Sequence, residues 1–269
     1  MAAAAAAPPR VPDPLPPGAT APPWSARTPC LLALDTSTEL LSVALGTPDG
    51  ALHASDEAGG ALASSRLIPA LMDLLQHAGV SLRGLDAIAF GQGPGAFTGL
   101  RTACAVAQGL AFGAALPVLA IDSLLIVAEM ACGGAGTDAA DDGPWWVAMD
   151  ARIDEVYAAV YQRVGPDWRL LQAPALYSLP ALAARWQEAP PQRVAGNAPA
   201  AFGDRLPCDA AQRRPATGAR SAALLRLARA AWRRGEAVAA DQALPLYLRD
   251  KVALTTAERA LQRAAGVLP

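Results

Sequence analysis

Apolar positions change their period along this chain, and the changes mark its elements. CLLALDTSTELLSVALG runs apolar, turns polar over Asp35-Thr36-Ser37-Thr38, then runs apolar again with alternation. This predicts a β-hairpin of strands Leu31–Leu34 and Leu41–Leu45, with ALHAS as a third strand. SSRLIPALMDLLQHAG then sets Leu67, Ile68, Leu71, Met72 and Leu75 on one helical stripe, opened by a Ser N-cap and stopped near Gly79. Pro69 falls early in that helix, where backbone N–H groups lack partners in any case. LDAIAF reads as a short buried strand, GQGPGAFTGLR as a loop, LRTACAVAQGLAFGAAL as a helix and PVLAI as a strand. That order is a βαβ unit with a parallel sheet.

A helix follows over Ser123–Cys132, then a flexible acidic loop, GGAGTDAADDG. WWVAMDARIDEVYAAVYQ repeats the strand–turn–strand pattern from Trp145 to Tyr161, with Asp150-Ala151-Arg152 at the turn. Residues 163–210 are broken by prolines, with a helix over Leu179–Gln187 and a strand at Arg193–Val194. SAALLRLARAAWRRG is an amphipathic helix, and the end is irregular from Ala243 with some helix over Thr256–Ala265. Two hairpin openings suggest two halves of related topology. The boundaries are an N-terminal α/β domain over 30–135, a C-terminal one over 136–255 and a tail over 256–269.

Composition adds limits to this pattern. The chain has 269 residues, 53% of them hydrophobic, which is enough for one or two cores. A formal charge of −2 brings no bulk basic field for nucleic acid. Cys30, Cys104, Cys132 and Cys208 form no CxxC, and Cys30 and Cys104 read as buried thiols of a reducing cytosol. Residues 1–29, rich in Ala and Pro, read as a disordered leader, since they lack the basic start and Leu-like run of a secretory signal. No segment reads as a membrane span, so a soluble, cytoplasmic protein is expected.

The glycine-rich loop allows several readings. A P-loop needs a Lys before its Ser or Thr, and Leu100 and Arg101 follow Gly99. Residues 91–96 fit the dinucleotide pattern G-x-G-x-x-A, with Asp122 closing the next strand, but Phe97-Thr98-Gly99 delays the helix. The structural reading is that Gly93, Pro94, Gly95 and Gly99 shape a turn, Thr98 caps the helix and Arg101 sits in its first turn. Between Thr102 and Ala115 only Gln108 is neither apolar nor small. A helix apolar all round is buried on every side or paired with another chain. Arg101, Ala105, Gly109 and Gly113 form an i, i+4 row that lets another helix approach closely, with Phe112 beside it. Seven arginines and no acid lie between residues 210 and 235: Arg213, Arg214, Arg220, Arg226, Arg229, Arg233 and Arg234. They read as a solvated face, with nucleic-acid phosphates or an acidic partner as the functional alternative. Arg152 and Glu155 read as a local ion pair, with a nucleotide contact as the alternative.

Four stretches in order, LALDTSTELLSVAL, GQGPGAFTGLRTACAVAQGLAFG, MDARIDEVYAAVY and PLYLRDKVA, resemble the TsaB family over roughly residues 30 to 253. That family, grouped with the glycoprotease-like M22 proteins, is the dimerisation subunit of the bacterial machinery that makes threonylcarbamoyladenosine in tRNA. Ala96 departs from its usual Ser. The resemblance implies an actin-like, sugar-kinase-like (ASKHA) α/β fold of two halves, each opening with a β-hairpin. It implies a non-catalytic subunit paired with TsaD, the catalytic relative, through the two helices that carry the apolar stripe and the small-residue row. TsaD would then threonylcarbamoylate the adenosine next to the tRNA anticodon, so that tRNA is met only indirectly. No cofactor of its own is implied, ATP or ADP belonging to the complex. The ATPase TsaE is a further candidate partner, a homodimer a candidate state of the chain alone, and no membrane is involved. TsaD holds a metal through two histidines four apart on a helix, and the matching places here are Ser123 and Val127. His53 and His77, 24 positions apart, make no such pair. The competing function is an ATP-dependent kinase or transferase of the same fold acting alone, with Asp35, Thr36, Asp150 and Arg152 on the nucleotide side.

Overall fold

A computed structural model describes residues 28–132, 143–216 and 220–249. The expected leader, acidic loop and C-terminal helix and tail lie outside, or almost wholly outside, these residues.

The opening hairpin forms as expected, with β1 over Leu31–Asp35 and β2 over Leu40–Gly46, and β3 over Leu52–Ala58 extends it. Helix α1 (Ala63–His77), β4 (Ala87–Gly93), α2 (Phe97–Ala114), β5 (Val118–Asp122) and α3 (Ser123–Ala131) follow. Alternating side chains split β1 between two cores. Leu32 and Leu34 face α1 and α2, while Leu31 and Ala33 face the opposite side of the sheet. The second hairpin is β6 (Pro144–Asp150) and β7 (Glu155–Val164). Then come β8 (Asp167–Ser178), α4 (Leu179–Glu188), β9 (Arg193–Ala195), α5 (Ala198–Phe202), β10 (Gln212–Arg214) and α6 (Arg220–Arg233).

The two sheets repeat one plan. Their strand orders are β3-β2-β1-β4-β5 and β8-β7-β6-β9-β10. Each has three antiparallel strands followed by two that add in parallel to the first. This doubled order is the actin-like α/β architecture. The layers run α1/α2, first sheet, α3/α6, second sheet, α4/α5. Among the described residues no helix is long and apolar enough to cross a membrane.

Four local expectations need correction. Strand β8 was missed because Pro174 suggested a break. It is an edge strand, where a residue without a ladder N–H is tolerated, and the register with β7 shifts beside it. Helix α1 has no Ser cap, because a short 3₁₀ turn over Gly60–Leu62 feeds directly into it. Pro69 therefore lies inside the helix, not in its unpaired first turn. Helix α2 begins at Phe97 with Ala96 as N-cap, so Thr98 is its second residue and its helix start is not delayed. Helix α6, read as part of the C-terminal half, packs on the first sheet through Leu224, Leu225, Ala228 and Trp232.

Candidate functional site

The turn between β1 and β2 is held by its own chain. Asp35 Oδ1 accepts from Ser37 N at 2.9 Å and Oδ2 from Ser37 Oγ at 3.1 Å. That much is the turn chemistry of Asp. The remaining partner comes from 185 residues away, where Arg220, opening α6, donates through Nε to Asp35 Oδ2. The same guanidinium donates through Nη2 to Ser37 Oγ at 3.0 Å and to the Ser123 carbonyl at 3.2 Å. Asp35 and Arg220 are both buried. A buried guanidinium needs such a set of acceptors. Arg220 is thus a lock between α6, α3 and the first hairpin, and no part of a solvated face.

The glycine-rich segment closes onto this turn. Ala96 N donates to the Ser37 carbonyl at 2.8 Å, Thr36 Oγ1 donates to the Gly99 carbonyl at 2.7 Å, and Gly93 N donates to Ser123 Oγ at 3.0 Å. A Cβ on Gly95 would stand 2.4 Å from the Ser37 carbonyl oxygen, and one on Gly99 would stand 1.8 Å from that of Thr36. These glycines admit a neighbouring backbone, and two of the loop N–H groups that a phosphate would use are occupied. The Gly93–Pro94 peptide is cis. Asp122, the acid that closes the strand after the dinucleotide-like pattern, instead caps α3 by accepting from Leu124 N at 2.8 Å and takes the Tyr161 hydroxyl at 2.5 Å. Burial pushes its carboxyl up to about 6, against those hydrogen bonds, which lower it.

Between the halves lies a cleft of about 300 Å³, lined among others by Ser37, Glu39, Asp150, Arg152, Tyr157 and Arg249. Arg152, Ile153 and Asp154 all have φ near +60° (67°, 54° and 54°), a tight turn that non-glycine residues rarely adopt. This turn aims Arg152 across the cleft at Glu39, 3.3 Å away, and beside Asp150 at 3.7 Å. The expected Arg152–Glu155 pair does not form, because Glu155 is taken by Arg249, which also donates to the Ala151 carbonyl at 2.8 Å. Asp150 and Arg152 therefore reach the cleft, while Asp35 and Thr36 are buried beneath it.

The helix pair gives a different surface. Leu67, Leu71 and Leu75 were expected at a partner interface, but they are buried against the first sheet with Ala103, Ala107 and Ala111 of α2. The stripe was broader than the buried arc. Its outer edge, Ile68 and Met72, is 48% exposed at each residue, and Phe112 of α2 is 84% exposed. Ala105, Gly109 and Gly113 line the same outer side of α2, and a Cβ on either glycine would meet nothing within 4 Å. Arg101 closes the row, stacked 3.8 Å from the Phe97 ring centroid and 3.2 Å from the Tyr247 hydroxyl. The approach of Tyr247 and of Arg249 was missed, although both sit in the PLYLRDKVA stretch that carried the resemblance.

A family model described as TsaD, tRNA N6-adenosine threonylcarbamoyltransferase, matches residues 61–195. The tRNA threonylcarbamoyladenosine biosynthesis protein TsaB of Escherichia coli (strain K12) is 41% identical over 133 residues, 49% of this chain and 55% of that protein. Its Haemophilus influenzae counterpart is 42% identical over 127 residues, 47% of this chain and 51% of that protein. The matched region thus spans about half the length of these curated relatives. The structure of YeaZ from Pseudomonas aeruginosa superposes with a TM-score of 0.72 at 42% identity, covering 82% of this chain and 100% of that one. The chain belongs to the TsaB family. A tRNA N6-adenosine threonylcarbamoyltransferase of Nitrosospira multiformis shares 48% identity over 59 residues, only 22% of this chain and 17% of that enzyme. At the two places that the resemblance assigns to the transferase's histidines, this TsaB-family chain has Ser123, bonded to Gly93 N, and the buried Val127. Among the described residues no group of three His, Cys, Asp or Glu side chains stands close enough to hold a metal ion.

Proposed function

We propose that this chain is an accessory subunit in the making of threonylcarbamoyladenosine in tRNA, and that it works by pairing with the transferase TsaD. The observation that carries the reading is the uncovered outer side of α1 and α2, where Ile68, Met72 and Phe112 are exposed beside Ala105, Gly109 and Gly113. Large apolar groups next to small ones let a second helix pair approach closely and bury the large groups. The matching helices of TsaD would complete a four-helix interface and hold the transferase in working shape. A homodimer of this chain would use the same side and compete. TsaE, tRNA and ATP or ADP then meet the assembled complex. The chemistry remains with TsaD, which transfers the threonylcarbamoyl group to the adenosine beside the anticodon.

The engaged carboxylate beneath the cleft supports the non-catalytic part of this reading. Both oxygens of Asp35 are engaged by Ser37 and Arg220, so the carboxylate that would serve nucleotide or Mg²⁺ in a kinase of this fold is already neutralised. Reconstitution tests it: tRNA modification by TsaD should need this chain, and the Met72→Glu variant should abolish modification while remaining folded. Full activity with Met72→Glu and Phe112→Glu together would overturn the pairing, and ATP turnover by the chain alone would favour an independent enzyme.

A further inference from the structure

The molecule has a second cavity, of about 610 Å³, that shares no lining residue with the cleft. It opens beside Gly50, at the turn joining β2 and β3, and Asp167, at the start of β8. Helices α3 and α6 form its inner wall. Five arginines line it, Arg163, Arg226, Arg229, Arg233 and Arg234, against two carboxylates, Glu129 and Asp167. The volume lies in the range of small-molecule sites, and the lining carries a clear excess of positive charge.

The excess charge is not spread evenly. Glu129 is buried and accepts from Arg226 Nε at 2.6 Å and from Trp168 Nε1 at 2.8 Å, with Arg163 at 3.7 Å. Arg234 is engaged by Asp167 at 3.0 Å and by Glu236 at 2.5 Å. The two carboxylates are therefore used up by three arginines. Arg229 Nε and Nη2 are shut away from solvent with no acceptor among the described residues. Its guanidinium is pressed against Gly46, where even an added Cβ would lie 2.7 Å from Nη2. Arg229 is half-buried, and a guanidinium with two donors shut away and no counter-charge is left for an anion to neutralise from the cavity it lines. Arg233, exposed at the rim, makes no ion pair among the described residues. Trp168 and Leu227 supply apolar surface in the same cavity.

We propose that this cavity binds a small phosphorylated molecule, its phosphate paired with Arg233 and with the remaining nitrogen of Arg229, Nη1, and its apolar part against Trp168 and Leu227. Guanidinium groups suit phosphate because their planar donors match its oxygens. A small ligand fits better than a nucleic-acid backbone. Arg229 is recessed, whereas a phosphodiester chain is met by arginines that stand outward. The site lies away from the helix pair proposed to meet TsaD, so it stands or falls separately from that reading.

Calorimetric titration of the full chain in phosphate-free, low-salt buffer tests the proposal, with inorganic phosphate and phenyl phosphate as probes. Phenyl phosphate should bind roughly threefold or more tightly than inorganic phosphate, because only it covers the apolar wall. Arg233→Gln should weaken phenyl phosphate by roughly fivefold or more, while Arg213→Gln, the same charge loss on the exposed β10, should not. Arg229→Gln should weaken it further, and Arg233→Gln alone decides the matter if that variant does not fold. Equal binding of the two probes would reduce the site to a plain anion site and overturn the proposal for an organic phosphate. No heat from either probe at about 10 mM, or heat unchanged in Arg233→Gln, would overturn it outright. Binding of tRNA alone, lost in Arg233→Gln, would replace it with a nucleic-acid surface.

Discussion

Replacing Arg220 by Met probes the lock beneath the cleft. In the wild type the Asp35 carboxylate has three donors, Ser37 N, Ser37 Oγ and Arg220 Nε. Arg220→Met leaves the two serine donors and removes the only cation that the carboxylate contacts among the described residues. Both groups are buried, at 1% and 3% exposure, so solvent does not replace the lost partner. Breaking a buried pair from one side costs about 3–5 kcal/mol. For a chain of this size each kcal/mol moves Tm by about 2–4 °C, so the melting temperature should fall by roughly 6–20 °C. Asp35→Asn in the Arg220→Met background removes the stranded charge, and the double variant should melt higher than Arg220→Met alone. Differential scanning calorimetry on wild type, both single variants and the double variant reads this as a coupling energy. A fall below about 2 °C in Arg220→Met, or strictly additive single effects, would refute the lock.

Gly99→Ala should prevent folding or lower stability by more than about 3 kcal/mol, since its Cβ would meet the Thr36 carbonyl at 1.8 Å; soluble expression and circular dichroism read it. Gly109→Ala should do the reverse and stabilise the isolated chain by about 1 kcal/mol, because α2 gains a better helix former in open space; urea unfolding measures it, and the same methyl should weaken binding to TsaD. Asp122 holds its carboxyl at about 6 against an ordinary 3.8, so the folded state binds the proton more tightly than the unfolded one. Its contribution therefore disfavours folding by about 3 kcal/mol above pH 6, and that penalty disappears as pH falls toward 4. Asp122→Asn, which keeps the cap acceptor, should flatten the stability profile between those pH values in denaturant titrations.

Much of the architecture was legible because it rests on local patterns. The two hairpins, α1, the βαβ unit through β5 and the helix at Arg220–Arg233 all follow from spacing, and the doubled opening correctly suggested a doubled sheet plan. What sequence could not show was how far each pattern would be buried. Periodicity placed Leu67, Ile68, Leu71, Met72 and Leu75 on one arc, but only packing on the sheet separates the core leucines from Ile68 and Met72. The arginines of α6 looked like a solvated face because their partners lie far away in sequence. Arg220 meets Asp35, Arg226 meets Glu129, and Arg229 presses on Gly46. The glycines of residues 93–99 were visible, but the Ser37 and Thr36 carbonyls that require two of them were not. Pro174 hid β8, since a linear reading does not reveal which strand will be at an edge.

The most direct test of the central claim is size-exclusion chromatography with light scattering on this chain mixed with TsaD. The account predicts a heteromeric peak for the wild type, and its loss for Met72→Glu and Phe112→Glu with each variant remaining a folded, soluble chain. A wild-type chain that elutes apart from TsaD, or variants that still co-elute with it, would contradict the claim that the outer side of α1 and α2 is where this protein works.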